Sequence, residues 1–322
     1  MQKTAPIYVA GHTGLVGSAL LRSLAQQGYE NIVTRSHSEL DLTDKVAVST
    51  FFKTQKPEYV FLAAAKVGGI WANENYPADF IFENLQIQNN VIHEAKEAGV
   101  KRLLFLGSSC IYPRECPQPI KETYLLTGPL ESTNRPYALA KIAGIELCWA
   151  FNRQYGTQFL AVMPTNLYGP GDNYDLKTSH VIPALIRKMH EAKANEENTV
   201  TVWGTGKPKR EFLYSDDLAE ACLYIMNLDE PQFQKCVLEQ PPVINIGCGE
   251  DLTIHDLAIS IAKVVGFKGQ IEFDTSMPDG TPRKTLCIDR VKALGWKPTR
   301  TLHEGLALAY QQFQTDNLVV PT

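Results

Sequence analysis

Three stretches hold residues whose types and spacing suit chemistry. The first is Leu106-Gly107-Ser108-Ser109-Cys110-Ile111-Tyr112-Pro113, which follows the apolar run Leu103–Leu106. It sets a hydroxyl and a thiol two residues apart at the end of an expected buried strand. The second is Tyr137-Ala138-Leu139-Ala140-Lys141, the single Tyr-x-x-x-Lys among the chain's 13 tyrosines. Residues four apart share a helix face. A lysine ammonium beside a phenol favours the phenolate and lowers its pKa from about 10 towards working pH. Tyr137 then gives a proton to, or takes one from, an alcohol or sugar oxygen. Ser108 supplies a hydroxyl to the same oxygen. The third is Gly11-His12-Thr13-Gly14-Leu15-Val16-Gly17, between an apolar run and a helical pattern. Glycines there permit a tight turn and close backbone approach to a pyrophosphate at the helix N-terminus.

The end of the second expected strand speaks to the nucleotide. An acid at that point suits the ribose hydroxyls of NAD. Here the residues are Thr34-Arg35-Ser36-His37-Ser38, and Glu39 and Asp41 come late. Arg35 and His37 suit a 2′-phosphate, which an acid would repel. Asp41 and Leu42 fall near the adenine. The expected cofactor is therefore NADP (NADPH).

These groups need a scaffold, and the first half of the chain supplies a repeating one. Strands are expected at Ile7–Ala10, Ile32–Thr34, Tyr59–Ala65, Leu103–Gly107 and Phe159–Met163. Helices are expected at Leu15–Gln27, at Thr43–Lys53 from a Thr cap, at Pro77–Ala98 and at Pro136–Tyr155. Such alternation with apolar strands predicts an α/β fold, a doubly wound parallel (Rossmann) sheet. The second half predicts strands at Val200–Trp203 and Val243–Ile246, and helices at Ser215–Asn227 and Thr253–Val265, the latter capped by Thr253. Loops, short strands and Gly-Pro turns fill the remainder. The expected division is 1–165, joined by 214–249, as nucleotide domain, with 166–213 and 250–322 as a smaller mixed α/β substrate domain.

Gross properties narrow the function classes. The chain has 322 residues, net charge −4 and a pI near 6.0. That balance gives no footprint for nucleic acid. No apolar run approaches the roughly 18–20 residues that span a bilayer, and the N-terminal apolar run leads into a glycine turn rather than a signal cleavage site. Seven cysteines without Cys-x-x-Cys spacing fit a reducing cytoplasm and give no zinc pattern. The expected location is cytoplasmic, with no metal.

The order of Gly-rich turn, Ser and Tyr-x-x-x-Lys resembles the extended short-chain dehydrogenase/reductase family. The stretches 63–70 (AAAKVGGI), 75–81, 106–113, 136–148, 163–170, 179–188 (SHVIPALIRK) and 279–284 (DGTPRK) narrow the resemblance, over essentially the whole chain, to the GDP-L-fucose synthase family. It implies NADPH-dependent epimerisation at C3 and C5 and reduction at C4 of GDP-4-keto-6-deoxy-D-mannose. It assigns Ser108, Tyr137 and Lys141 to the C4 oxygen and the cofactor ribose, and Cys110 and His180 to proton removal and delivery. On residue type alone, Cys110 also reads as a small core residue and His180 as a polar helix start. The other six cysteines keep that structural reading. Leu106 and Gly107, then Pro164, Asn166 and Leu167, and finally His180 are implied as cofactor contacts. Lys188, Trp203, Arg210 and Asp279 are implied for the GDP moiety. Thr13 and His37 stand where some members carry a basic residue, which predicts a weaker preference for NADP. The apolar breadth of 77–98 (Phe80, Ile81, Phe82, Leu85, Ile87, Val91, Ile92), with the resemblance, predicts a symmetric homodimer. The alternatives are a nucleotide-sugar C4 epimerase or 4-ketoreductase on the same scaffold, or a non-catalytic NADP-binding module.

Overall fold

The computed structural model describes residues 1–176, 178–277 and 279–318. Lys177, Pro278 and 319–322, within the expected smaller unit, lie outside the described residues.

In chain order the first half runs β1 (Ile7–Ala10), α1 (Leu15–Gln26), β2 (Ile32–Val33), α2 (Lys45–Gln55), β3 (Tyr59–Leu62), α3 (Ile70–Asn75), α4 (Pro77–Glu97), β4 (Arg102–Leu106), α5 (Arg135–Tyr155) and β5 (Phe159–Pro164). There follow β6 (Asn166–Tyr168), α6 (Val181–Ala194), β7 (Thr199–Trp203), β8 (Lys209–Arg210), β9 (Phe212–Tyr214), α7 (Ser215–Met226), α8 (Glu230–Leu238) and β10 (Val243–Ile246). The chain continues through β11 (Leu252–Thr253), α9 (Ile254–Val265), β12 (Gln270–Asp274), β13 (Arg283–Lys284), α10 (Asp289–Ala293) and α11 (Leu302–Leu318).

Six parallel strands make the main sheet in the order β10-β5-β4-β3-β1-β2. Strands β1, β4, β5 and β10 are buried along their whole length. That explains why they read as unbroken apolar runs: helices cover both faces, so no side chain has water to face. The order reverses between β1 and β3, which opens a crevice at the carboxyl ends of those strands. Both the Gly11 turn and the Ser108 turn leave the sheet at that end.

Helices α4 and α5 pack side by side on one face. Gly144 sets how closely α5 approaches the sheet. A Cβ there would lie 2.6 Å from the Phe105 ring of β4 and 3.0 Å from the Gln88 amide of α4. Gln88 also donates to the Ala140 carbonyl at 2.6 Å. The helix that carries Tyr137 and Lys141 is thus seated directly over the strand that leads to Ser108. Two buried apolar clusters lie beneath. One surrounds the main sheet; the other joins α6, α9, α11, β7 and the aromatic residues Phe212 and Tyr214.

Several expectations need correction. The cap of α2 is Asp44, whose carboxylate accepts from the N–H groups of Val46 and Ala47, not Thr43. Strand β3 ends at Leu62 rather than Ala65. The segments 166–213 and 250–322 hold more helix than expected. Helix α6 carries Pro183 in its first turn, where the missing N–H has no helical partner to lose. The 17-residue α11 and the nine-residue α8 were not expected either.

Candidate active site

The nucleotide turn fits a pyrophosphate. Helix α1 begins after Gly14 with no side-chain cap. Among the described residues, the Leu15, Val16 and Gly17 N–H groups have no acceptor, so the helix presents its free donors and its positive end. The Nδ1 atom of His12 is buried without a partner. A Cβ on Gly17 would overlap the Gly11 carbonyl, and one on Gly11 would come within 2.7 Å of the Ala64 backbone. Turn, helix and β3 therefore meet at contact distance. We expect Gly17→Ala to cost about 1–3 kcal/mol, as forced overpacking does. A drop in Tm with weakened nucleotide binding in a fluorescence titration checks this.

Arg35 projects from the end of β2, with Nη1 donating to the Thr34 carbonyl at 2.6 Å and the guanidinium 5.6 Å from the Phe51 ring. It has no carboxylate partner among the described residues. The nearby acids are occupied: Glu39 accepts from the Ser36 N–H and hydroxyl, and Asp41 from the Thr43 N–H and hydroxyl. Both carboxyls are held below the usual range by those bonds. His37 and Thr13 are exposed, while Leu42 is buried in the main core.

Beyond β4 the chain turns through Gly107 into a short 3₁₀ segment, Ser109–Ile111, capped by Ser108. The Cys110 N–H donates to Ser108 Oγ at 3.4 Å. The Tyr137 phenol is within electrostatic reach of both Ser108 and the Cys110 thiol. Lys141, buried beneath, donates to the Leu106 carbonyl at 2.8 Å and lies 4.7 Å from the Phe105 ring centroid.

The electrostatics differ from the expectation in one respect. Burial, then the neighbouring Cys110, pushes the Tyr137 phenol well above its ordinary pKa, and nearby Ser108 opposes this. Lys141 itself is brought down to about 8 by burial. Its ammonium is turned to the Leu106 carbonyl, 5.8 Å from the Tyr137 ring centroid. Desolvation therefore outweighs the lowering expected from the Tyr-x-x-x-Lys pair.

Burial likewise raises the Cys110 thiol; the largest opposing influence is the Lys284 ammonium, ahead of Ser108 and Lys141. His180 is the N-cap residue of α6, with no capping side-chain bond. It stays more than a third open to solvent. Desolvation and then Lys284 nevertheless keep its imidazole below the ordinary value. Thiol and imidazole thus both feel one lysine. Asn166, at the start of β6, donates to the Glu211 carbonyl at 2.8 Å, and Leu167 pairs with Leu213 of β9; these two follow Pro164 directly off β5.

The residues implied for GDP also gather. The Lys188 ammonium lies 5.4 Å over the Trp203 ring and donates to the Thr201 carbonyl at 3.2 Å. Trp203 is 61% exposed, an open aromatic face. Arg210 donates to the Thr281 carbonyl at 2.5 Å and is within electrostatic reach of Asp279. Asp279 is less free than its type suggested. Its oxygens accept from the Thr205 N–H at 2.9 Å and the Thr205 hydroxyl at 2.6 Å, fixing the turn after Trp203.

Sequence reasoning missed Lys284, Asn245 and Glu211. Lys284 stood inside the quoted 279–284 stretch. Asn245, fully buried, is the polar residue in the otherwise apolar β10, and that mismatch was its signal. Glu211, also fully buried, accepts from the Gly249 and Leu286 N–H groups at 2.7 and 2.8 Å.

Comparison with known proteins agrees with this geometry. Residues 7–247 match the model of the NAD dependent epimerase/dehydratase family. GDP-L-fucose synthase of Escherichia coli K12 is 53% identical over 307 residues, covering 95% of this chain and 96% of that one. GDP-L-fucose synthase 1 of Arabidopsis thaliana is 54% identical over 311 residues, covering 97% and 94%. The structure of a GDP-L-fucose synthetase from Naegleria fowleri bound to NADP superimposes with TM-score 0.90 at 30% identity, covering 100% and 96%. By these matches over nearly its whole length, the chain belongs to the GDP-L-fucose synthase group of the NAD-dependent epimerase/dehydratase family.

Proposed function

We propose that this chain epimerises GDP-4-keto-6-deoxy-D-mannose at C3 and C5 and reduces it at C4 with NADPH, yielding GDP-L-fucose. NADPH supplies the hydride for the C4 carbon. The chain's own residues handle protons and position. The 4-ketone acidifies the C–H bonds at its neighbours because the resulting enolate is stabilised on oxygen. Cys110 removes those protons and His180 delivers protons from the opposite face. Ser108 and Tyr137 hold the C4 oxygen, and Tyr137 gives it a proton when the carbon is reduced. Lys141 braces the cluster from below and meets the cofactor ribose. The GDP moiety lies against Trp203, Lys188, Arg210 and Asp279.

The observation that supports this reading most directly is the Ser108 hydroxyl just beyond β4, which accepts from the Cys110 N–H at 3.4 Å and lies within electrostatic reach of the Tyr137 phenol. Reductase and epimerase groups then address one sugar ring. The raised phenol pKa suits the role, because a protonated Tyr137 is the form that donates to the C4 oxygen. The test is stoichiometry. One NADPH should be consumed per keto sugar. Protein that arrives with tightly held nucleotide and shows no net consumption would instead be a C4 epimerase.

Arg35 is the proposed contact for the 2′-phosphate. A charge-assisted bond of about 1.5–3 kcal/mol implies that Arg35→Ala lowers the NADPH-to-NADH ratio of kcat/KM by about tenfold or more. An unchanged ratio would remove Arg35 from the site.

The division into 1–165 with 214–249, against 166–213 with 250–322, is supported by the smaller apolar cluster on α6, α9, α11 and β7; 286–296 runs against it, because Leu286, Ile288, Val291 and Trp296 sit in the larger cluster. A symmetric homodimer through α4 and α5 is supported by exposed Phe82 (61%) and Leu139 (39%), one on each helix. A cytoplasmic location is supported by the seven free cysteines. None of the helices searched among the described residues is long and apolar enough to cross a membrane.

A further inference from the structure

We infer that Tyr112, moored on Asn245, is a positioning residue for Cys110: the bond between its hydroxyl and the Asn245 side chain fixes the far end of the turn that carries the thiol. The inference rests on the assignment of Cys110 as the base.

The turn hangs between two anchors. The near one is Gly107, whose N–H donates to the Val162 carbonyl of β5 at 2.9 Å. A Cβ on Gly107 would overlap the Met163 side chain, so the chain passes β5 at contact distance. The far anchor is Tyr112, whose ring is buried and whose hydroxyl donates to Asn245 Oδ1 at 2.6 Å. Asn245 lies on β10, opposite Met163 of β5. The turn therefore spans from β4 across β5 to β10. Between the anchors, the Ile111 N–H donates to the Ser108 carbonyl at 3.2 Å and the Cys110 N–H to Ser108 Oγ at 3.4 Å. Both bonds are at the long end of the range, so the anchors carry much of the hold.

Asn245 makes a stiff mooring. It has no exposed surface. Its amide donates to the Ile120 and Cys287 carbonyls at 2.9 and 3.2 Å, and its own N–H donates to Glu122 at 3.1 Å. The two carbonyls fix the amide nitrogen on their side, which leaves the oxygen to Tyr112. Those carbonyls belong to segments that are themselves joined: the Cys287 N–H donates to the Ile120 carbonyl at 2.8 Å, and the Ile120 N–H to the Thr285 carbonyl at 2.7 Å. A buried amide is costly unless its groups are bonded. Here the oxygen and both amide hydrogens are used, and the oxygen is spent on the turn beside the thiol.

The mooring acts on Cys110 more than on Ser108. Ser108 follows the Gly107 anchor directly, whereas Cys110 lies three residues from Gly107 and two from Tyr112. Loss of the Tyr112 bond frees the thiol's end of the turn and leaves the hydroxyl's end on the sheet.

Asn245→Ala would also strip the Ile120 and Cys287 carbonyls of a donor. The test therefore uses Tyr112→Phe in the full chain, which removes one hydroxyl and keeps the ring. The first reading is the rate at which iodoacetamide labels each cysteine without substrate, followed by peptide mass spectrometry. Buried thiols are labelled when the structure opens locally, and one hydrogen bond is worth about two- to tenfold in such an opening. Cys110 labelling should rise by that factor, while Cys148 and Cys222, fully buried in the main core, keep their wild-type rates. The second reading is the product formed in heavy water. Deuterium taken up at C3 and C5 per C4 reduction should fall about tenfold or more, since a misplacement of about 1 Å costs up to about 10²-fold, with NADPH binding unchanged. Unchanged Cys110 labelling overturns the inference. So does an equal rise at all three cysteines, because that describes a bond that stabilises the fold alone. Where Cys110→Ser abolishes exchange, an unchanged ratio of exchange to reduction in Tyr112→Phe overturns it too. If Cys110 alone is labelled faster but Cys110→Ser still exchanges both protons, the mooring stands and the assignment of Cys110 as base falls.

Discussion

Tyr137→Phe is expected to lower turnover about 10²–10⁴-fold, the usual contribution of a positioned general acid, while leaving NADPH binding nearly intact. On the proposed assignment the phenol is the acid that serves the C4 oxygen. Burial keeps it protonated, so its loss removes the proton that must arrive as the ketone is reduced. Its ring should remain seated, because the edge contact with Phe80, at 6.2 Å between centroids, does not use the hydroxyl. Steady-state kinetics and a nucleotide titration on the same preparation check both halves. Near-normal turnover would sink the assignment.

Cys110→Ser is expected to separate the two activities. A serine hydroxyl is a far weaker base than a thiolate, so proton removal at C3 and C5 should fail. On the proposed assignment reduction at C4 uses Ser108, Tyr137 and Lys141, and none of them is touched. The variant should still oxidise NADPH with the keto sugar, and it should release a reduced sugar whose C3 and C5 are not inverted. His180→Asn should also lose epimerisation. Because His180 sits at the exposed start of α6, that variant should in addition bind substrate more weakly. A Cys110→Ser enzyme that makes fully inverted product would return Cys110 to the core.

The chemistry was easier to read in the sequence than the frame around it. The strands of the main sheet are buried on both faces, so their apolar runs announce them. The turn glycines and the Tyr-x-x-x-Lys pair act through local spacing, which the sequence displays directly. What stayed hidden depends on contacts between distant segments. Helix α6 has Pro183 in its first turn and α11 lies at the end of the chain, and each is placed by packing on the other and on α9. Asn245 ties β10, the 112–122 segment and Cys287 together through bonds that no local spacing displays. The charge state of Tyr137 was misjudged for a similar reason. Spacing puts an ammonium on the same helix face, but burial and the Leu106 carbonyl decide what that ammonium does.

One measurement reaches the central claim, that a thiol and a phenol in one cluster perform both epimerisation and reduction on one sugar. The enzyme is given NADPH and GDP-4-keto-6-deoxy-D-mannose in heavy water, and the product is analysed by NMR. The account predicts GDP-L-fucose with deuterium at both C3 and C5 and one NADPH oxidised per sugar. A C4-reduced sugar that keeps the original configuration and hydrogen at C3 and C5 would contradict it.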